Sequence, residues 1–216
     1  MVVDFQIDDR ADRRPPSVVD VEIDDHPKTT RAGAGLLNFS GLLLCRRPCL
    51  AAGMNAEAEK IIAQLGLAPL PREGGFFRQT WVSSTQLANG RAAGSAIWFL
   101  LMPGDFSALH RLPAEELWHF YSGDPVEHVQ LDLATRGELV TRLGLEMEAR
   151  EVSQLVVPGG VWQGARIAPG PNTRRWALLG CTLTPAWDER EFELGSRAAL
   201  TREFPAAAGW IGALTR

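Results

Sequence analysis

Residues 104–123 read GDFSALHRLPAEELWHFYSG, and this stretch decides how the rest of the chain is interpreted. It contains two histidines, two glutamates, one arginine, one tryptophan and one tyrosine, and a glycine closes each end. Segments rich in apolar residues flank it, at 96–102 and at 126–133. Polar residues concentrated between two apolar strands are typical of a binding pocket built on a β-sheet.

Composition limits the classes of protein to which the chain can belong. Its 216 residues, 45% of them hydrophobic and 22% charged, suffice for one globular domain with a substantial core. The formal net charge of −4 argues against a nucleic-acid partner. No apolar run approaches the roughly 18 residues that cross a bilayer, so no membrane partner is expected. The odd set of cysteines, Cys45, Cys49 and Cys181, argues against a disulfide framework and predicts a cytoplasmic location.

The first part of the chain differs from the remainder. Residues 1–53 are first acidic and broken by prolines, then rich in arginine, alanine, glycine and leucine, and they keep no helical or strand period. We expect this part to be a disordered or spurious N-terminal extension, with Met54 as a natural start. Residues 54–210 form the predicted domain. Asn55 is a good N-cap and Gly66 a good C-terminal stop, so a short helix is expected between them.

After this helix the pattern changes to strands. Eight or nine short runs of apolar and β-branched residues are separated by turns, and the chain contains 21 glycines and 14 prolines. A last short helix is expected near the C-terminus. The pattern predicts a mainly β protein, an antiparallel sandwich or barrel with a short leading α-helix.

Side-chain alternation along two strands selects candidate pocket residues. In the strand near 73–81, Arg78 faces the pocket if its neighbour Phe77 faces outward. In the strand after residue 114, Glu116 and Trp118 share one face. His119 lies on the opposite face of a regular strand, and only a bulge would bring it to the pocket.

A motif within the opening stretch resembles the first signature of the cupin superfamily. Gly104, His110, Glu116 and Gly123 stand at its characteristic spacings, and Leu112 replaces its second histidine. Residues 158–163, PGGVWQ, resemble the second signature. More narrowly, the blocks EGGFFRQTW, LLMPGDFSALHR to WHFYSGDP, VVPGGVWQGAR and LLGCTLTPAWD resemble single-domain cupins of uncharacterised function. The resemblance implies a cupin jelly roll, the double-stranded β-helix, usually paired into homodimers.

The resemblance also implies where a metal would lie. In cupins that bind a divalent metal, the signature histidines and glutamate supply the ligands, so His110 and Glu116 are the candidates here. Leu112 cannot ligate, and Gln163 stands where the second signature has a histidine. Gln163 or His119 would have to complete the coordination.

A second alternative needs no metal. Epimerases of nucleotide-linked sugars in this superfamily use a pocket histidine to remove a proton beside a carbonyl. By this resemblance His110 and Glu116 are a catalytic pair, with Glu116 orienting the base. These enzymes also use a phenolic acid, and Tyr121, which is the only tyrosine, shares the outer parity of His119.

The remaining candidates would contact the substrate. Arg78 would bind an anionic group, and Trp118 would line the pocket or stack on a flat ligand. His119 and Gln163 complete the set. We therefore expect a cupin that binds, and isomerises or epimerises, a small polar metabolite of the sugar or carboxylate type. The alternatives are a metal-dependent enzyme with its metal at His110 and Glu116, and a non-catalytic ligand-binding or sensor module.

Overall fold

The computed structural model describes residues 55–171 and 173–216, and the predictions for residues 1–53 lie outside this part of the chain. Three α-helices and eleven strands are present there. In chain order they are α1 (Ala56–Leu65), β1 (Ala68–Pro69), β2 (Phe76–Val82), β3 (Ser95–Leu101), β4 (Phe106–Arg111), β5 (Glu115–Gly123), β6 (Val126–Asp132), β7 (Gly137–Leu143), β8 (Gln154–Val157), β9 (Trp162–Ile167), β10 (Ala177–Thr184), β11 (Glu193–Leu194), α2 (Arg197–Glu203) and α3 (Ala208–Ala213).

The strands form two sheets. The first sheet has the order β1-β2-β3-β10-β5-β8, and the second has the order β11-β4-β9-β6-β7. All of these neighbours pair antiparallel. The predicted mainly β jelly roll with a short leading helix is confirmed. β1 and β11 have two residues each, which is too short for a sequence pattern to reveal.

Helix α1 begins and ends where the sequence predicts. The Asn55 side chain accepts the backbone N–H of Glu57 at 2.8 Å, and Gly66 ends the helix with a φ of 60°. Buried Ala58 packs against the first sheet through Leu100 and Trp176. None of the helices in the described part of the chain is long and apolar enough to span a membrane.

The C-terminal helices cover the outer face of the second sheet. Leu200 of α2 and Ile211 of α3 are buried against Val129 and Leu131 of β6. Leu214 belongs to the same cluster and is fully buried. The packed part of the chain therefore continues beyond residue 210, where the sequence interpretation ended the domain.

The space between the sheets has two parts. Most of it is an apolar core in which inward-facing residues such as Phe99, Phe120 and Ile167 meet. Near the connection from β4 to β5, however, polar residues replace this core. His110 is on β4 in the second sheet and Glu116 is on β5 in the first sheet. The short connection between these strands thus brings two charged residue types to facing walls of one interior.

Candidate functional site

A cavity of about 120 Å³ lies at this polar end of the sandwich. Most of its lining comes from strands of the first sheet, β4 contributes His110, and three connecting segments contribute the rest. The polar lining residues are Glu73, Gln79, Ser95, His110, Glu116 and Cys181, and the apolar ones are Leu70, Phe77, Ile97, Phe99, Leu112, Leu183 and Trp187. A largely apolar cavity with a few converging polar groups has the character of a small-molecule site.

His110 is held with one ring nitrogen free. Its side chain is 2% exposed, and its Nδ1 lies 2.8 Å from the backbone carbonyl of Ala108. A carbonyl only accepts, so Nδ1 carries the proton in this contact. Phe192 stacks on the imidazole with a centroid distance of 5.2 Å. Nε2 has no hydrogen-bond partner among the described residues, and it is therefore available to a molecule in the cavity.

Glu116 is buried and is held from behind by neutral donors. Its Oε2 accepts the side-chain N–H of Gln163 at 2.5 Å, and the thiol of Cys181 donates a hydrogen bond to the same carboxyl group. Burial raises the pKa of Glu116, and the nearby Glu73 carboxylate raises it further, while His110 opposes the shift. Burial likewise raises the pKa of Cys181 well above its ordinary value. The carboxyl group of Glu116 thus holds its proton more tightly than a glutamate in water does.

The amide of Gln163 connects Glu116 to two aromatic residues. Its Oε1 accepts the indole N–H of Trp118 at 2.9 Å and lies 3.3 Å from Nε2 of His128. His128 is fully buried, and this burial lowers its pKa to about 3. His128 is therefore neutral and donates through Nε2. Trp118 and Gln163 are buried behind the cavity wall, so their role is to hold Glu116 in place.

A second carboxylate, Glu73, reaches the cavity from the loop before β2. It is 8% exposed, and its Oε1 accepts the hydroxyl of Ser107 at 2.7 Å. The loop requires its two glycines. Gly74 and Gly75 have φ values of 107° and 72°, and a Cβ atom on Gly74 would lie 2.3 Å from the Phe106 carbonyl oxygen. The backbone that places Glu73 in the cavity is thus fixed by packing.

The segment between β10 and β11 forms the mouth of the cavity. Trp187 lines the cavity and is also 41% exposed, and its backbone N–H donates to the Ser95 hydroxyl at 3.0 Å. Arg91 fastens the segment by donating to the Ala186 carbonyl at 2.7 Å and by pairing with Glu191, also at 2.7 Å. A molecule that enters the cavity from solvent therefore passes the Trp187 side chain.

Arg78, which we expected to face the pocket, does not line the cavity. It is exposed, and its guanidinium lies over Gly66 at the end of α1. Phe77 and Gln79 line the cavity in its place. The expected orientation of β2 is wrong. Aromatic residues lie on both faces of this strand, so alternation alone does not show which face points into the cavity.

His119 and Tyr121 also lie outside the cavity. Their rings are stacked on the outer face of the first sheet, with centroids 6.3 Å apart, and Tyr121 contacts Trp98 at 5.0 Å. His119 bonds there with Gln154 at 3.1 Å. The bulge that would have been needed to turn His119 toward the pocket is absent, because β5 pairs without a register shift between Glu116 and His119. His119 therefore does not line the cavity as the candidate set required. The phenol of Tyr121 likewise has no access to a ligand beside His110.

The candidate pair His110 and Glu116 lines one cavity without direct contact. Neither an ion pair nor a hydrogen bond joins the imidazole to the carboxyl group in the described structure. The expectation that Glu116 orients His110 is therefore corrected: the carbonyl of Ala108 performs this function. Both groups can therefore reach a molecule bound in the cavity that they line.

The residues present do not fit a resident divalent metal. No group of three or more histidine, cysteine, aspartate or glutamate side chains within residues 55–171 and 173–216 is arranged to hold one. Leu112, two residues from His110, presents only carbon to the cavity. Gln163 directs its amide N–H at Glu116, and its oxygen is already used by Trp118. The donors that do line the cavity, among them His110, Glu73 and Glu116, are therefore not assembled as a transition-metal site.

Sequence reasoning missed most of the cavity lining, including Glu73, Cys181 and Trp187. Glu73 lies in a loop, where strand alternation gives no direction, although a glutamate before a double glycine signals a fixed turn. Cys181 was considered only as one of three cysteines, although its alternation with Leu183 would have placed it on the inner face. Trp187 lies beyond the last long strand, and no local pattern brings it to the mouth.

Two antiparallel sheets that enclose a cavity lined by a histidine from one sheet and a glutamate from the other define the chain as a cupin. The chain belongs to the family described as Cupin superfamily (DUF985), whose model matches residues 59–195. A search of curated protein sequences finds no match.

Two solved structures support the same assignment. A protein of Shewanella oneidensis is 32% identical, with a TM-score of 0.67, over 74% of this chain and 97% of its own. A hypothetical protein from Leishmania major is 30% identical, with a TM-score of 0.67, over 73% of this chain and 98% of its own. These similarities establish the family and the fold, and the site must be interpreted from its own residues.

Proposed function

We propose that the protein binds a compact organic molecule in the cavity and transfers a proton on it through His110, without a metal. The observation that carries this proposal is the fixed imidazole, whose Nδ1 is bonded to Ala108 while Nε2 is free. A base held in one tautomer inside a closed cavity is prepared to accept a proton from a ligand. The corresponding activity is isomerisation or epimerisation next to a carbonyl group.

The proposed chemistry uses the two facing groups in complementary roles. Nε2 of His110 takes a proton from the carbon beside a carbonyl, and the electron pair of that C–H bond becomes the C=C bond of an enol. In the proposed step the carbonyl oxygen takes a proton from the carboxyl group of Glu116, whose pKa is raised by burial. Return of the first proton to the other face of the carbon, or to another carbon, and of the second to Glu116 completes the cycle.

The size of the cavity favours a small substrate. A cavity of about 150 Å³ in another protein holds benzene, and the cavity here is about 120 Å³. A nucleotide-linked sugar would have to leave its nucleotide outside the mouth. The phenol on which the sugar epimerases depend is also missing from the cavity, because Tyr121 lies on the outer face. We therefore place the substrate among compact carbonyl compounds.

Exchange of carbon-bound hydrogen for deuterium tests the proposal. In D₂O, NMR would follow exchange at the carbons next to the carbonyl of hydroxyacetone, aminoacetone and pyruvate, with and without a chelator. We expect the purified protein to accelerate exchange for at least one ketone, regardless of chelator. His110→Gln should lower this rate by about 100-fold or more, while the matched variant His119→Gln, changed on the outer face, should retain it.

Two results would overturn the proposal. One is exchange that is no faster with the wild-type protein than with His110→Gln for all three ketones. The other is an exchange rate that disappears with the chelator and returns with a divalent metal. Saturable binding of a ketone without exchange would also end the catalytic proposal and would favour the ligand-binding module.

A further inference from the structure

In the described part of the chain, the cavity is lined by two buried carboxyl groups and by no lysine or arginine, and its basic side chain is His110. Glu73 is 8% exposed and Glu116 is 6% exposed, and both line the cavity. The groups that bond to their side-chain oxygens are neutral: the hydroxyl of Ser107 on Glu73, and an amide and a thiol on Glu116. Within the described residues, neither carboxyl group takes part in an ion pair.

This arrangement is electrostatically incomplete. Charged groups removed from water are normally paired, because an unpaired buried charge costs several kcal/mol. The charge of Glu73 also contributes to the raised pKa of Glu116. A positive charge placed in the cavity would be stabilised by Glu73 and would relieve this repulsion.

The other lining residues also favour a positively charged ligand. No lysine or arginine lines the cavity, and the arginine expected there, Arg78, lies outside it. Aromatic side chains do line it, among them Phe77, Phe99 and Trp187. Aromatic faces attract cations and repel anions. The buried His110 also leaves Nε2 without a partner, so the cavity is built to receive a molecule that brings its own polar groups.

We propose that the cavity selects a compact organic cation, a small molecule carrying an ammonium group, and that Glu73 binds the charged nitrogen. This inference rests on the proposed function and names its substrate class. In this proposal Glu73 pairs with the charged nitrogen of the ligand, and Glu116 donates a proton to its carbonyl oxygen. An anionic substrate, such as a carboxylate or a sugar phosphate, would meet two acidic groups and no lysine or arginine side chain.

The three ketones test this selectivity because they are similar in size and differ in charge. Aminoacetone is a cation near neutral pH, hydroxyacetone is neutral and pyruvate is an anion. We expect kcat/KM for deuterium exchange, corrected for the reaction without protein, to be highest for aminoacetone and lowest for pyruvate. The loss of one charged contact should lower kcat/KM by about tenfold. This comparison uses the wild-type protein and needs no variant.

A variant assigns the preference to Glu73. Glu73→Gln keeps an oxygen for the Ser107 hydroxyl, so the loop retains its contact. We expect its preference for aminoacetone over hydroxyacetone to fall about tenfold or more. Glu151→Gln is the matched control, because Glu151 is also a buried carboxylate but pairs with Arg142 away from the cavity. Its preference should not change.

The outcomes separate this inference from the proposed function. If exchange depends on His110 but pyruvate is processed as well as aminoacetone, the cation inference is wrong and the proposed function stands. An unchanged preference in folded Glu73→Gln would also contradict the inference, because another group would then bind the charge. If no ketone exchanges faster than with His110→Gln, the proposed function itself fails.

Discussion

The side-chain amide of Gln163 donates to the carboxyl group of Glu116 at 2.5 Å and thereby fixes the direction of its own oxygen. That oxygen accepts from Trp118, whose indole nitrogen can only donate. The amide therefore cannot be reversed without losing both contacts. One glutamine side chain positions the proposed acid and also satisfies an aromatic residue in the core.

Replacing this glutamine should be costly. Gln163→Met keeps a similar length but leaves the indole N–H of Trp118 and the carboxyl group of Glu116 without their partner. We expect a loss of about 3 kcal/mol in the free energy of unfolding, measured by urea denaturation. The matched control is Gln130→Met, because Gln130 is also buried but makes a single 3.3 Å bond to the Val156 carbonyl. Equal losses of unfolding free energy in the two variants would show that the contacts of Gln163 contribute no more to stability than the single bond of Gln130.

His128 should make the protein sensitive to acid. Burial lowers its pKa to about 3 from an ordinary value of 6.5. Between these values an unfolded chain binds a proton at this residue and the folded protein does not. The contribution of His128 to stability is therefore fully present above pH 6.5 and is lost as the pH falls toward 3.

His128→Gln removes this titration and keeps a donor for Gln163. Between pH 6 and pH 4 the free energy of unfolding of the variant should fall less steeply than that of the wild-type protein. The difference should be about 1.4 kcal/mol per pH unit. Urea denaturation at several pH values measures it, and identical slopes would contradict the buried neutral state. His119→Gln, altered on the outer face, provides the comparison.

The contribution of Glu116 to stability should change with pH in the opposite direction to that of His128. Burial raises its pKa above 4.5, so the folded protein holds a proton that the unfolded chain has already released. This stabilising contribution is complete below pH 4.5 and is lost as the pH rises through the raised value. Glu116→Gln is neutral at every pH, so its stability relative to the wild-type protein should increase as the pH rises above 4.5.

Thermal unfolding of the two proteins from pH 4 to pH 8 measures this difference. Glu151→Gln changes a buried carboxylate that is paired with Arg142 at 2.9 Å, and it should not show the same trend. A constant difference between Glu116→Gln and the wild-type protein would mean that Glu116 ionises in the folded state as it does in water.

A single substitution should create the metal site that the natural residues do not form. Leu112 lines the cavity near His110 and Glu116, so Leu112→His would add a second imidazole to the existing nitrogen and oxygen donors. We expect this variant to bind Ni²⁺ or Co²⁺ at least about tenfold more tightly than the wild-type protein. Calorimetric titration measures the affinities, and Leu112→Asn is the control for a polar change alone. Equal metal affinity in Leu112→His and wild type would contradict the arrangement described.

Sequence alone predicts the fold and half of the site, for identifiable reasons. Alternation along β5 correctly places Glu116 and Trp118 inside and His119 opposite, because this strand has one buried face. The same reasoning fails at Arg78, where both faces of β2 carry large side chains. Glu73 and Trp187 lie in loops, and their positions depend on contacts with distant strands. The homodimer implied by the family stays a prediction, which sedimentation velocity would test.

The chain crosses from one sheet to the other between His110 and Glu116 with only a short connection. The two halves of the proposed reaction centre are therefore close neighbours in sequence, although they belong to opposite walls. Most residue pairs that meet across a sandwich depend on distant parts of the chain finding each other. Here the short connection between β4 and β5 sets the spacing of the two residues. Relatives with longer or shorter loops elsewhere can therefore keep the same reactive geometry. A change in the length of this connection would alter that geometry directly.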